Sequence, residues 1–194
     1  MSGVYNILIT GVGGQGIGLL SETLIRAADH AGLAVRGCDT HGLAQRGGIV
    51  TSHVRIGKNA HSPLVMEASA DLVIALERHE AVRAGARYLC EGGTLVWYDT
   101  SWQPLDVRLG RTRETLPQDV ADLCQKLGAK QVRVCENLAD TRLQNTAVLA
   151  AVIAEDLIPG VKAEHLAEAL SDILSGGALK ANLELAAKTA TSPR

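Results

Sequence analysis

Short apolar runs alternate with stretches in which apolar residues recur every three or four positions, the pattern of strands and helices taking turns along a chain. Residues 6–10 form a continuous apolar run and predict a buried parallel strand. A helix is expected over residues 15–30, where Ile17, Leu20, Leu24 and Ala27 share one face and Gly32 marks the end. A second strand begins at Leu33 and ends near Asp39. Val50, Ser52, Val54 and Ile56 alternate with Thr51, His53 and Arg55, the period of a strand with one more polar face. Residues 71–76 and 94–98 predict two further buried strands. The helix expected between them, over residues 79–89, is stopped by Gly92 and Gly93. Residues 105–109 and 131–135 are candidates for additional strands, with a helix over 118–127 between them.

The tail changes character. Residues 141–157 contain Ala147-Val148-Leu149-Ala150-Ala151-Val152-Ile153-Ala154, apolar around the whole helix, which predicts burial on every side. Pro159 and Gly160 end it, and two short amphipathic helices follow, over 163–174 and 179–188. Strands alternating with helices imply an α/β fold with a doubly wound, mostly parallel sheet. The expectation is a single domain over 1–194 with a helical C-terminal part from about residue 140.

Composition narrows the function. At 194 residues the chain buries enough surface to fold without disulfides, roughly 70% of what the unfolded chain exposes. Apolar residues make up 46%, but Phe is absent and aromatics total 3%, so the core is aliphatic and platforms for stacking bases are scarce. A net charge of −2 argues against nucleic acid as a partner. No apolar run approaches the ~20 residues of a membrane span, and the expected location is the cytoplasm. Cys38, Cys90, Cys124 and Cys135 show no Cys-x-x-Cys pair, so free buried thiols are expected rather than a cluster or metal site in this chain.

Two glycine-bearing segments concentrate the candidate chemistry. Gly11-Val12-Gly13-Gly14-Gln15-Gly16 follows the first strand and opens the first helix, with Gly11, Gly13 and Gly16 in G-x-G-x-x-G spacing. Glycines there permit a tight, Rossmann-like turn, and the helix N-terminus favours an anion. Asp39, at the end of the second strand, stands where a dinucleotide fold keeps its ribose-binding acid. Gln15 is a long polar side chain that could contact a partner or an anion. A structural tight turn is the competing reading. The second segment is Gln45-Arg46-Gly47-Gly48. It sets a planar guanidinium, able to grip a carboxylate or phosphate through two parallel bonds, on a sharply bent backbone. Its functional reading is a loop at the substrate, coenzyme or subunit interface; its structural reading is an arginine paired within its own domain. His41 and His53 are expected to be structural. Glu77 marks either the carboxyl end of a strand or a helix start.

In this order and inside one α/β domain, the two segments resemble the gamma subunit or domain of the thiamine-diphosphate-dependent 2-oxoacid:ferredoxin oxidoreductases. The likeness is closest to the indolepyruvate-type beta subunit, where Ala44-Gln45-Arg46-Gly47-Gly48 runs into Thr51-Ser52-His53-Val54-Arg55-Ile56-Gly57. It covers residues 7–100, including Ser62-Pro63 and Ala70-Asp71-Leu72, and continues more weakly into Asn145 and the apolar helix. Asp99 departs from the pattern, since the family it resembles commonly carries Asn before Thr at this place.

The resemblance implies that a partner subunit holds thiamine diphosphate with Mg and iron–sulfur clusters, and that no cofactor resides in this chain. The thiamine ylide attacks the 2-oxoacid and releases carbon dioxide; electrons pass through the clusters to ferredoxin, and coenzyme A takes the acyl group. An arylpyruvate such as indolepyruvate is the implied substrate, and this chain completes the hetero-oligomer without catalytic residues of its own. Two alternatives remain open from the residues themselves. One is a stand-alone NAD(P)-dependent dehydrogenase using residues 11–16 and Asp39; the other is a nucleotide-binding regulatory module using the same loop.

Overall fold

The computed structural model describes residues 3–41, 48–102 and 105–191. Six strands form one sheet: β1 (Tyr5–Val12), β2 (Val35–His41), β3 (Ile49–Ile56), β4 (Ala70–Ala75), β5 (Leu89–Tyr98) and β6 (Lys130–Val134). Their order is β2-β3-β1-β4-β5-β6. β1, β4, β5 and β6 pair in parallel, while β3 runs antiparallel to both β1 and β2. The sheet is therefore mostly parallel, as the alternation of elements predicts, with one reversed strand. The reversal follows from the shortness of the connection after β2: β2 ends at His41 and β3 begins at Ile49, too close in sequence for the crossover of about a dozen residues that a parallel return needs.

Helices cover both faces. On one side lie α1 (Ile17–His30), α5 (Gln144–Ala154), α6 (Ala163–Ile173) and α7 (Gly176–Thr191); on the other lie α2 (Arg78–Tyr88) and α4 (Pro117–Lys126). α5 packs between the sheet and the outer pair α6 and α7, touching β5, β6, α1 and both outer helices. That position explains its sequence: every residue from Gln144 to Val152 is buried, so no face of the helix can be polar without a partner. The 3₁₀ turn Thr141–Leu143 before it is more open, and Thr141 and Arg142 are exposed.

Three expectations need correction. Residues 105–109 hold a helical turn, α3 (Leu105–Arg108), rather than a strand; alternation over five residues cannot distinguish the two. Gly92 and Gly93 do not stop α2, which ends at Tyr88, but lie inside β5. Gly92 takes φ +72° in a bulge, and a Cβ on Gly93 would meet the carbonyl oxygens of Cys90 and Ala70 at 3.1 and 3.2 Å. The cysteines are free, but only Cys124 is buried; Cys38 and Cys90 are half-buried and Cys135 is exposed. No described helix is long and apolar enough to cross a membrane.

Candidate functional site

β1 delivers the chain to a turn that only glycine fits. Gly14 and Gly16 adopt φ +112° and +76°, in the region L side chains avoid. Gly11 is needed for a different reason: a Cβ there would stand 2.8 Å from Gln15 Oε1 and 3.1 Å from Leu76 Cβ. Gln15 folds back under the turn, its Oε1 accepting from Val12 N–H at 2.8 Å and its Nε2 donating to the Leu76 carbonyl at 3.0 Å. The amide is thus engaged within the chain. Gly13 N–H donates to the Gly48 carbonyl at 2.8 Å, so the two glycine segments meet through their backbones. Gln45, Arg46 and Gly47 lie outside the described residues.

The first turn of α5 closes the site from the other side. Gln144 Nε2 donates to the same Leu76 carbonyl at 2.6 Å, and Asn145 Nδ2 donates to the Gly16 carbonyl at 2.9 Å. Asn145 is 8% exposed, and its Oδ1 has no hydrogen-bond partner among the described residues. A buried acceptor left unpaired costs about 1–3 kcal/mol. Thr146 Oγ1 donates to Asn182 Oδ1 at 2.5 Å, which ties α5 to α7. α1 starts at Gly16 without a side-chain cap, so its first N–H groups are not covered by a side chain.

These groups line one cavity of about 560 Å³. Gly14, Gly16, Asn145 and Asn182 supply a polar end, Leu19, Leu149, Leu170 and Leu174 an apolar wall, and Trp102 and Arg142 are also in the lining. Arg142 is bound to Asp140 at 2.8 Å. The positive end of the α1 dipole suits an anion, and Asn145 Oδ1 suits a hydrogen-bond donor. Sequence reasoning reached Asn145 only weakly and missed Gln144 and Asn182. The available signal was a polar triplet, Gln144-Asn145-Thr146, opening an otherwise apolar helix.

The remaining candidates whose side chains are described have internal roles. Glu77 is the N-cap of α2, accepting from Glu80 N–H at 2.5 Å and His79 N–H at 3.0 Å, and burial pushes its carboxyl pKa up despite these bonds. His53 is buried, its Nδ1 accepts from Val65 N–H at 3.1 Å, and burial lowers its pKa. His41 has no described side chain. Asp39 accepts from Ser52 Oγ at 2.5 Å and more weakly from Ser21 at 3.5 Å. Because β3 lies between β1 and β2, Asp39 is not on the strand beside the glycine loop, and the dinucleotide arrangement is not reproduced. Among the described residues, no three His, Cys, Asp or Glu side chains converge as a metal site.

A family model described as pyruvate ferredoxin/flavodoxin oxidoreductase matches residues 6–191. The chain is 32% identical over 185 residues to the indolepyruvate oxidoreductase subunit IorB of Archaeoglobus fulgidus, covering 92% of this chain and 90% of that one. Its fold is similar to the pyruvate oxidoreductase subunit PORC of Thermotoga maritima, with a TM-score of 0.64 and 19% identity over 96% and 95% of the two chains. It is also similar to part of a 2-oxoglutarate:ferredoxin oxidoreductase from Magnetococcus marinus, solved with 2-oxoglutarate, coenzyme A and succinyl-CoA. That match has a TM-score of 0.62 and 19% identity, over 96% of this chain and 30% of the other. At such identities the two structural likenesses establish the fold alone.

Proposed function

The chain belongs to the pyruvate ferredoxin/flavodoxin oxidoreductase family, and from that membership we propose that it is the gamma-type subunit of an oxidoreductase acting on indolepyruvate or another arylpyruvate. The partner subunit holds thiamine diphosphate, Mg and the iron–sulfur clusters, and ferredoxin takes the electrons. Those groups supply the bond cleavage and electron transfer. The described cysteines of this chain lie on β2, β5, α4 and beyond β6, and do not form a cluster site.

This chain's own contribution is to receive the co-substrate and close around it. The observation that carries this reading is the buried Asn145 Oδ1, without a hydrogen-bond partner among the described residues, beside the uncapped start of α1 in a cavity of about 560 Å³. Coenzyme A carries both an anion for the helix start and hydrogen-bond donors for Asn145. Arg46 lies in sequence just before Gly48, whose carbonyl holds Gly13. It is the cation proposed to reach a coenzyme phosphate, a substrate carboxylate or a partner carboxylate.

The test is a complex reconstituted with the thiamine- and iron–sulfur-containing subunit, assayed for ferredoxin reduction with indolepyruvate, pyruvate and 2-oxoglutarate. Preference for indolepyruvate, and a raised KM for coenzyme A in Asn145→Asp, support the proposal. An Asn145→Asp complex with unchanged coenzyme dependence removes the cavity from it.

A further inference from the structure

Aromatic residues are 3% of this chain, and it has two tryptophans. Trp97 is 0% exposed inside the sheet. Trp102 is 48% exposed and stands in the lining of the cavity that also contains Gly14, Gly16 and Asn145. Exposing a large indole to water forgoes the burial that the other aromatic of this size obtains, and such residues recur where a ligand or partner completes the contact.

Three features of the cavity then differ in what they ask of an occupant. The start of α1 has no side-chain cap and favours negative charge. Asn145 Oδ1 is buried, has no partner among the described residues and needs an N–H or O–H donor. Trp102 offers an indole for stacking, and the aliphatic Leu19, itself 40% exposed, lines the same cavity.

We propose that Trp102 is a specificity-determining residue of this cavity, the platform on which a planar aromatic group stacks when that group is joined to an anion and carries a hydrogen-bond donor. Purine nucleotides and indole carboxylates both have this chemistry. The inference rests on the cavity being a binding site, as proposed above, and adds the class of group its rim selects. A carboxylate or phosphate without an aromatic group uses the helix start alone and gains nothing from the indole.

Because Trp97 is fully buried, quenching of tryptophan fluorescence by a bound non-fluorescent ligand reports on Trp102; indole-3-acetate emits in the same band, so its binding is read by calorimetry instead. The full chain is titrated with coenzyme A, then with AMP, indole-3-acetate and inorganic phosphate, each at fixed ionic strength. Saturable binding of AMP or indole-3-acetate, at concentrations well below those phosphate requires, is the expected result; which of the two binds more tightly identifies the source of the aromatic group. For the preferred probe, Trp102→Ala, followed by competition against coenzyme A, should weaken binding about tenfold or more, the loss expected of one base–aromatic stack. Trp102→Phe should recover most of it. If the parent chain and its reconstituted complex bind neither coenzyme A nor any probe, the cavity is not a binding site and both readings fall. If they bind coenzyme A but Trp102→Ala binds it, AMP and indole-3-acetate as the parent does, the cavity stands and the role of Trp102 is overturned.

Discussion

Asn145 Nδ2 donates to the Gly16 carbonyl at 2.9 Å and stands 2.7 Å from the point where a Cβ on Gly16 would lie. The start of α5 therefore reads the conformation of the glycine loop directly, across 129 residues of sequence. Gly16→Ala meets two penalties: a left-handed backbone, worth about 1–2 kcal/mol for a non-glycine residue, and crowding against Asn145. A lowered melting temperature is expected. Asn145→Ala in the same chain should recover the crowding part and leave the backbone part, which a double-mutant cycle measures. Full additivity of the two changes would show that they do not touch in solution.

Arg46 is the residue whose proposed role is outward. Arg46→Ala should leave the lone chain folded and cost the complex about 1.5–3 kcal/mol, roughly ten- to more than a hundredfold in affinity or rate. Arg46→Lys should recover only part, since an ammonium lacks the planar fork. Turnover of the complex and the melting temperature of the lone subunit separate the outcomes. An unchanged turnover with a shifted melting temperature makes the arginine structural.

Asp99 binds Arg78 at 2.5 Å and also Arg133, joining the start of α2 to β6. Burial pushes its carboxyl pKa up, but the two guanidinium partners outweigh that and hold it below the usual range. A depressed carboxyl pKa contributes stability above the unfolded value of about 3.9 and loses it as pH falls through the folded value. Asp99→Asn should therefore lower the melting temperature at pH 7, by the equivalent of about 1.5–3 kcal/mol at most. The gap to the parent chain should narrow as pH drops below about 4. A gap independent of pH would exclude the ion pairs as its source.

Much of the fold was legible because its elements differ in period. The apolar run before Gly11, the helical spacing from Ile17 to Ala27 and the alternation from Val50 to Ile56 each allow one local structure. The reversed direction of β3 was not legible, since alternation marks a strand without giving its direction. Short or glycine-bearing segments failed for related reasons: residues 105–109 are too few to fix a period, and Gly92–Gly93 reads as a stop whether it ends a helix or bulges a strand. The glycine loop was visible as a motif, but its partner was not. Asn145 reaches the loop at Gly16, Gln144 shares the Leu76 carbonyl with Gln15, and Asn182 holds Thr146 of α5; the packing of α5 and α7 sets all three, and no local pattern encodes it.

The cysteines offer a check on that packing. Burial pushes the Cys124 thiol up to about 11, so at pH 8 it is both shielded and protonated. Iodoacetamide followed by mass spectrometry should label exposed Cys135 first and Cys124 only on unfolding. Early labelling of Cys124 would show that α4 does not cover its side of the sheet as described.

Membership of an oxidoreductase complex is the claim on which the rest depends, and ferredoxin reduction tests it most directly. The partner subunit, proposed to hold thiamine diphosphate and the iron–sulfur clusters, is assayed with indolepyruvate and coenzyme A, alone and after titration with this chain. The account predicts little turnover by either component alone and a rate that rises to saturation at a fixed stoichiometry of the two. A partner that turns over equally fast without this chain, and does not bind it, would contradict the account.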